Sequence, residues 1–168
     1  MRTPINFKAW IEEHREQLRP PVGNQVIWND SEFIVMVVGG PNIRKDYHVN
    51  QGEEFFHQLE GDITLKIVEN GRAKDIIIRE GEIFLLPPRV PHSPRRSSNT
   101  VGLVMERQRR PGELDCFLWF CGHCGAKLYE EFIVLKDIVK DLPPLFDRFY
   151  GDAKRTTCGG CGTIEHRP

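Results

Sequence analysis

No stretch of this 168-residue chain is apolar for long enough to cross a bilayer, so a membrane-spanning helix is not expected. Residues 1–10 lack the apolar run of a signal peptide, which places the chain in the reducing cytoplasm as an expectation. Excess charge of one sign is also missing. Lys and Arg total 23 against 24 Asp and Glu, for a net charge of -1. No global positive field exists to gather nucleic-acid or lipid phosphates, so neither nucleic acid nor membrane is expected as a partner. The basic clusters at Arg95-Arg96 and from Arg107 to Arg110 read, on composition alone, as solvated surface. There is no internal repeat and no low-complexity tract. In a reducing compartment the five cysteines are more naturally metal ligands than disulfides.

What is present is ordinary for a folded domain: 39% hydrophobic and 28% charged residues, in a length that suits one barrel or sandwich plus an appendage. Phe7, Trp10, Ile11, His14 and Leu18 fall at helical spacing, with Asn6 as N-cap and Pro20-Pro21 as stop. From Gln25 to Arg107 the pattern changes to short β-rich runs: Gln25 to Trp28, Glu32 to Gly39, Glu54 to Glu60, Ile63 to Glu69, Ala73 to Arg79, Glu82 to Leu86 and Val101 to Arg107. Gly, Asn and Pro turn signals separate them, which implies an all-β jelly-roll barrel. Further strands are expected at Cys116 to Phe120 and Leu128 to Leu135, and a short helix around Pro143 to Tyr150. The expected division is a barrel over 1–112, with the N-terminal helix and the main site, and an extension over 113–168 that completes the fold.

Two segments carry metal-binding spacing. His48, Glu54 and Gly61 give H-x5-E-x6-G, and Gly81, Pro87 and His92 give G-x5-P-x4-H. They resemble the paired motifs of the cupin superfamily, a double-stranded β-helix whose metal lies between the motifs. Asn50 stands where many cupins carry a further histidine. Two imidazoles and one carboxylate on one face of an octahedral ion suit Fe(II) and leave three positions open. Each residue alone would more often be structural or solvated; the joint spacing, the glycines and Pro87 favour the metal. His57, an odd offset from Glu54 along a strand, falls on the opposite face.

Arg44 precedes His48 by four residues and Arg96 follows His92 by four. Two guanidinium forks flanking one metal suggest a carboxylate-bearing substrate, and Glu106 offers a group to move a proton. Without more, a surface ion pair or a rim arginine is the favoured reading of each. The blocks Pro20-Pro21-Val22-Gly23-Asn24, Val38-Gly39-Gly40-Pro41-Asn42, Asp46-Tyr47-His48, Glu53-Glu54-Phe55-Phe56, Phe84-Leu85-Leu86-Pro87-Pro88, His92-Ser93-Pro94, Glu106-Arg107-Gln108-Arg109 and Asp141-Leu142-Pro143-Pro144-Leu145-Phe146 together resemble the bacterial 3-hydroxyanthranilate 3,4-dioxygenases.

That resemblance implies an iron(II) enzyme that opens 3-hydroxyanthranilate with O2 to 2-amino-3-carboxymuconate semialdehyde, in quinolinate and NAD formation from tryptophan or in 2-nitrobenzoate breakdown. It makes His48, Glu54 and His92 the iron ligands, and Arg44, Arg96, Glu106 and Asn24 substrate or oxygen contacts, with Asn24 in the loop after the first helix. The preferred assignment gives the carboxylate to Arg96 and oxygen to Arg44. A homodimer is also implied. The alternatives are a non-catalytic cupin that binds a small carboxylate, or a cupin oxygenase acting on a related aromatic acid.

Cys121-Gly122-His123-Cys124-Gly125 and Cys158-Gly159-Gly160-Cys161-Gly162 form two CxxC knuckles able to close a tetrahedral thiolate site. A redox pair is the rival reading, but two matched knuckles favour a structural ion, zinc or iron, with His123 as spacer. In the family that the chain resembles, this site is rubredoxin-like. A zinc-ribbon nucleic-acid module is disfavoured by the balanced charge. Cys116 is left as an unpaired thiol.

Overall fold

A computed structural model describes residues 2–20 and 23–168; Pro21 of the expected helix stop and Val22 lie outside them. Helix α1 spans Phe7–His14, and Asn6 caps it by accepting from the Ala9 N–H at 3.1 Å. A 3-10 turn, Arg15–Leu18, completes the expected amphipathic segment. Among the described residues eleven strands follow: β1 Asn24–Trp28, β2 Phe33–Gly39, β3 Tyr47–Val49, β4 Glu54–Glu60, β5 Ile63–Glu69, β6 Arg72–Ile78, β7 Ile83–Leu86, β8 His92–Arg96, β9 Val101–Arg107, β10 Asp115–Phe120 and β11 Lys127–Ile133. Helices α2, Ile138–Tyr150, and α3, Ala153–Thr156, precede the C-terminal knuckle.

The strands form two antiparallel sheets, ordered β1-β2-β9-β4-β7 and β11-β10-β3-β8-β5-β6. This is the all-β barrel that the turn-punctuated runs imply. Between the sheets, alternate residues of each strand build one core from Met36, Phe56, Ile63, Leu65, Ile67, Ile78, Leu86 and Val104. Helix α1 and the 3-10 turn cover part of the outer face of the first sheet, where Ile11 and Leu18 pack with Val37 and Val101. Helix α2 lays Leu142, Leu145 and Phe149 on Phe117 and Trp119 of β10.

Four elements depart from the expectation. Strands β3 and β8 and the short helix α3 were not expected. Helix α2 starts at Ile138, a turn before the proline pair, so that Pro143 and Pro144 lie inside it. Asp141 secures that first turn by accepting from the Lys136 and Asp137 N–H groups, both at 2.8 Å.

Candidate metal centre and its surroundings

The unexpected strands carry the site. Strand β3 pairs with β8 in a register that sets His48 opposite His92. In the facing sheet, β4 pairs with β9 and sets Glu54 beside Glu106. His48, Glu54 and His92 thus come from different strands, and one ligand atom from each lies within 4.8 Å of the others. His92 Nε2 is 3.0 Å from Glu54 Oε2, yet that buried oxygen has no hydrogen-bond partner. Two acceptor-capable atoms aimed at one point without bonding each other are what a shared cation requires, so the residues fit a metal. Burial opposes the charge of Glu54, but the neighbouring His92 outweighs it and holds the carboxyl below its usual range.

A polar network that the sequence reading missed surrounds the triad. Asp115, fully buried, lies 2.6 Å from His48 Nε2. Arg109 donates to both oxygens of Asp115, at 3.0 and 2.7 Å, and also to Glu106. Asn50 donates to the other Glu106 oxygen at 2.6 Å and accepts from the Gly52 N–H at 2.9 Å. The residue that replaces a possible fourth ligand therefore holds Glu106. Burial and the charge of Glu54 push the Glu106 carboxyl up, against the pull of Arg109. Strand parity was the available signal for Asp115, since it shares a face with Phe117, whose ring stacks on His48 at 4.9 Å.

Arg96 lies in the barrel interior, 3% exposed. Its Nη1 donates to Gln58 Oε1 at 3.2 Å, while its Nε is buried without a partner. Burial pulls this guanidinium down to about 10. On the inner face of the first sheet, the Glu54–Glu106 row and the Gln58–Gly102 row are separated by one apolar row, Met36, Val104 and Phe56. Neighbouring rows on one face are about 7 Å apart along a strand.

Asn24 opens β1 rather than lying in the preceding loop. It lines a cleft of about 690 Å³ together with Ile34, Met36, Glu106 and Arg109, and its buried Oδ1 is unpartnered. Arg44 is placed differently from the other expected contacts. Its guanidinium forks onto Asp46, with Nε 3.0 Å from Oδ1, and sits 5.4 Å from the Phe146 ring centroid, with the side chain 41% exposed. The structure brings His48, Glu54, His92 and Glu106 together and directs Arg44 away from them.

The four cysteines form the second cluster, with Cys121 3.6 Å from Cys161 and Cys124 3.5 Å from Cys158 between sulfurs. These separations are too long for disulfides and match the edge of a thiolate tetrahedron, about 3.8 Å for a 2.3 Å metal–sulfur bond. The two knuckles repeat one local design. The N–H of the first cysteine reaches Ala126 O or Thr163 O, and Gly125 or Gly162 returns its N–H to the carbonyl of Cys121 or Cys158. Both glycines have positive φ, 74° and 75°, which side chains resist. The Thr163 hydroxyl and backbone hold the Cys161 thiol down to about 5, while, against the pull of the Ala126 backbone, Cys158 and Cys161 push the Cys124 thiol up to about 12. His123 is exposed and outside the cluster, and Cys116 is buried and free, pushed up to about 11 chiefly by burial.

The two-sheet barrel with a two-histidine, one-glutamate centre defines a cupin-type metal protein. Solved structures agree on the fold: a Neisseria meningitidis protein (TM-score 0.50, 21% identity, covering 63% of this chain and all of that one) and a cupin-2 domain protein from Shewanella frigidimarina (TM-score 0.50, 17% identity, covering 62% and 94%). The model of the 3-hydroxyanthranilic acid dioxygenase family matches residues 1–150, and the chain belongs to that family. It is 55% identical over 165 residues to a 3-hydroxyanthranilate 3,4-dioxygenase of Xanthomonas euvesicatoria pv. vesicatoria, covering 98% of this chain and 93% of that protein. It is 51% identical over 161 residues to a protein of the same name from Ruegeria pomeroyi, covering 95% and 89%.

Proposed function

We propose that this protein is an iron(II)-dependent dioxygenase that opens 3-hydroxyanthranilate with O2 to give 2-amino-3-carboxymuconate semialdehyde, with His48, Glu54 and His92 as the iron ligands. The observation that carries this reading is the buried, unpartnered Glu54 oxygen facing His92, in a chain that belongs to the 3-hydroxyanthranilic acid dioxygenase family. Iron(II) held there would supply open coordination positions for the substrate's adjacent hydroxyl and amine and for O2.

The chain's own residues do the rest. Arg96 binds the ring carboxylate, for which its unpartnered Nε and its burial without a hydrogen-bonded anion suit it. Glu106, pushed up by burial, takes the proton that the substrate hydroxyl sheds, while Arg109 and Asn50 keep its carboxylate in place. Asn24 offers its unpaired Oδ1 to a substrate N–H or O–H in the cleft. Arg44 serves the oxygen side, a role that requires its fork to leave Asp46. The four-cysteine site holds a structural ion, iron or zinc, in an extension over 113–168 whose β10 and β11 complete the catalytic barrel over 1–112. In the reducing cytoplasm its thiolates would stay available to metal. A homodimer is supported by the uncovered outer row Val35, Met105, Phe55 and Leu85, with exposed Phe33 and Ile83 beside it.

The test is oxygen uptake on 3-hydroxyanthranilate by protein loaded anaerobically with iron(II), with the ring-opened product followed optically and the same preparation sedimented as a dimer. Substrate binding without oxygen consumption would make the protein a carboxylate-binding cupin and overturn the enzyme reading.

A further inference from the structure

Arg96 is held by groups that the reaction itself does not need. Among the described residues its guanidinium has one hydrogen-bond partner, the amide of Gln58, itself 1% exposed. That amide cannot turn over freely, because its Nε2 donates to the Glu60 carbonyl at 2.8 Å and so fixes Oε1 toward the guanidinium. Directly across the β4–β9 register from Gln58 stands Gly102. A Cβ at Gly102 would lie 2.8 Å from Gln58 Oε1 and 2.9 Å from Arg96 Nη1, closer than packed atoms approach. The guanidinium therefore lies against bare backbone, aligned by one neutral acceptor and with no carboxylate in hydrogen-bond contact among the described residues.

We propose that Gln58 and Gly102 are positioning residues that set the preference for a carboxylate-bearing ring, by holding Arg96 flat against the barrel wall without neutralising it. The inference rests on the reading of Arg96 as the carboxylate partner. A glutamate in place of Gln58 would give Arg96 a permanent internal anion, in direct competition with the substrate's. A methyl group at residue 102 would drive the guanidinium from its seat. Neither change touches a metal ligand, so the decarboxylated ring, which does not use Arg96, is unaffected by either.

The experiment compares kcat/KM for 3-hydroxyanthranilate and for 2-aminophenol, which lacks the carboxylate, in iron-loaded protein, together with anaerobic calorimetry of 3-hydroxyanthranilate binding. Gln58→Glu is expected to lower the ratio of the two kcat/KM values by about 30-fold or more, through KM and with matching loss of binding. Gly102→Ala is expected to lower it by about tenfold. Activity on 2-aminophenol and iron content stay within about twofold of the parent if the role is positioning. A general packing defect would instead depress both substrates alike and overturn the proposal. Arg96→Met separates the layers: if it keeps the preference, the assignment of Arg96 fails and this inference with it. If it loses the preference while Gln58→Glu and Gly102→Ala keep it, the inference alone is overturned. Should Gln58→Glu fail to fold, Gly102→Ala decides the outcome.

Discussion

The His48–Glu54–His92 cluster and the four-cysteine cluster are both gathered from distant parts of the chain, but they are made in different ways. The first depends on long-range pairing: β3 against β8 fixes the two histidines, and the facing sheet delivers Glu54. Its surroundings are buried and charged, and they leave polar atoms without partners. The second is made of two local turns of one design, at the surface, with only sulfur ligands. Open valence inside a barrel is what chemistry needs, whereas four thiolates saturate an ion and leave no place for a substrate. The two sites should therefore fail independently, one in activity and the other in stability.

The sharpest separation is expected from His92→Ala. Loss of one of three ligands should remove iron from the barrel and lower turnover by about 10³-fold or more, because the remaining pair cannot hold the ion in an active geometry. Metal analysis should then find the four-cysteine ion at its parent level. Full metal content at both sites with ordinary oxygen uptake would mean that the triad is not the metal centre.

The converse is Cys158→Ser. Replacing this buried thiol should release the second metal and lower stability by about 2 kcal/mol, read as a drop of several degrees in Tm. The kcat of the folded protein should stay within about twofold, since no cysteine of the knuckle lines the cleft beside Glu106. A tenfold loss of kcat at full iron occupancy would show that the two sites are coupled and break the comparison.

The contrast also explains what could be read in the sequence. Both clusters of candidate ligands were legible in spacing, because ligands must be particular residue types at particular intervals. Strands such as Ile63–Glu69 followed from alternation, because their inner face is apolar core. Strands β3 and β8 were missed because they lack that alternation: their inward positions are His48 and then His92, Pro94 and Arg96, which read as loop. The signal fails where the inner face is given to a site instead of a core. Gln58, Gly102, Arg109 and Asp115 were missed for a related reason. Their importance lies in partners on other strands, and nothing in local spacing names those partners. Helix α2 was begun late because Pro143 suits a first turn, while Asp141, two residues before it, supplies the anchor for a turn further upstream.

The smallest effect concerns the seam between the two regions. Glu165 accepts from the Gly122 N–H at 2.7 Å and from Lys45 Nζ at 3.0 Å, and so ties the first cysteine knuckle to the segment just before β3. Burial opposes its charge, but those two donors outweigh it and hold the carboxyl below its usual value of 4.5. A carboxyl depressed in the folded state contributes stability that is complete above the unfolded value and disappears as pH falls through the folded one. Glu165→Gln should therefore lower stability by about 1 kcal/mol at neutral pH, a modest figure because Lys45 is half-exposed and screened by solvent. The gap between parent and variant should narrow as pH falls below 4.5, because the parent loses what the variant already lacks. Urea midpoints measured for both proteins across that range test it. A gap that stays constant with pH would assign the loss to packing, and the seam would not be electrostatic.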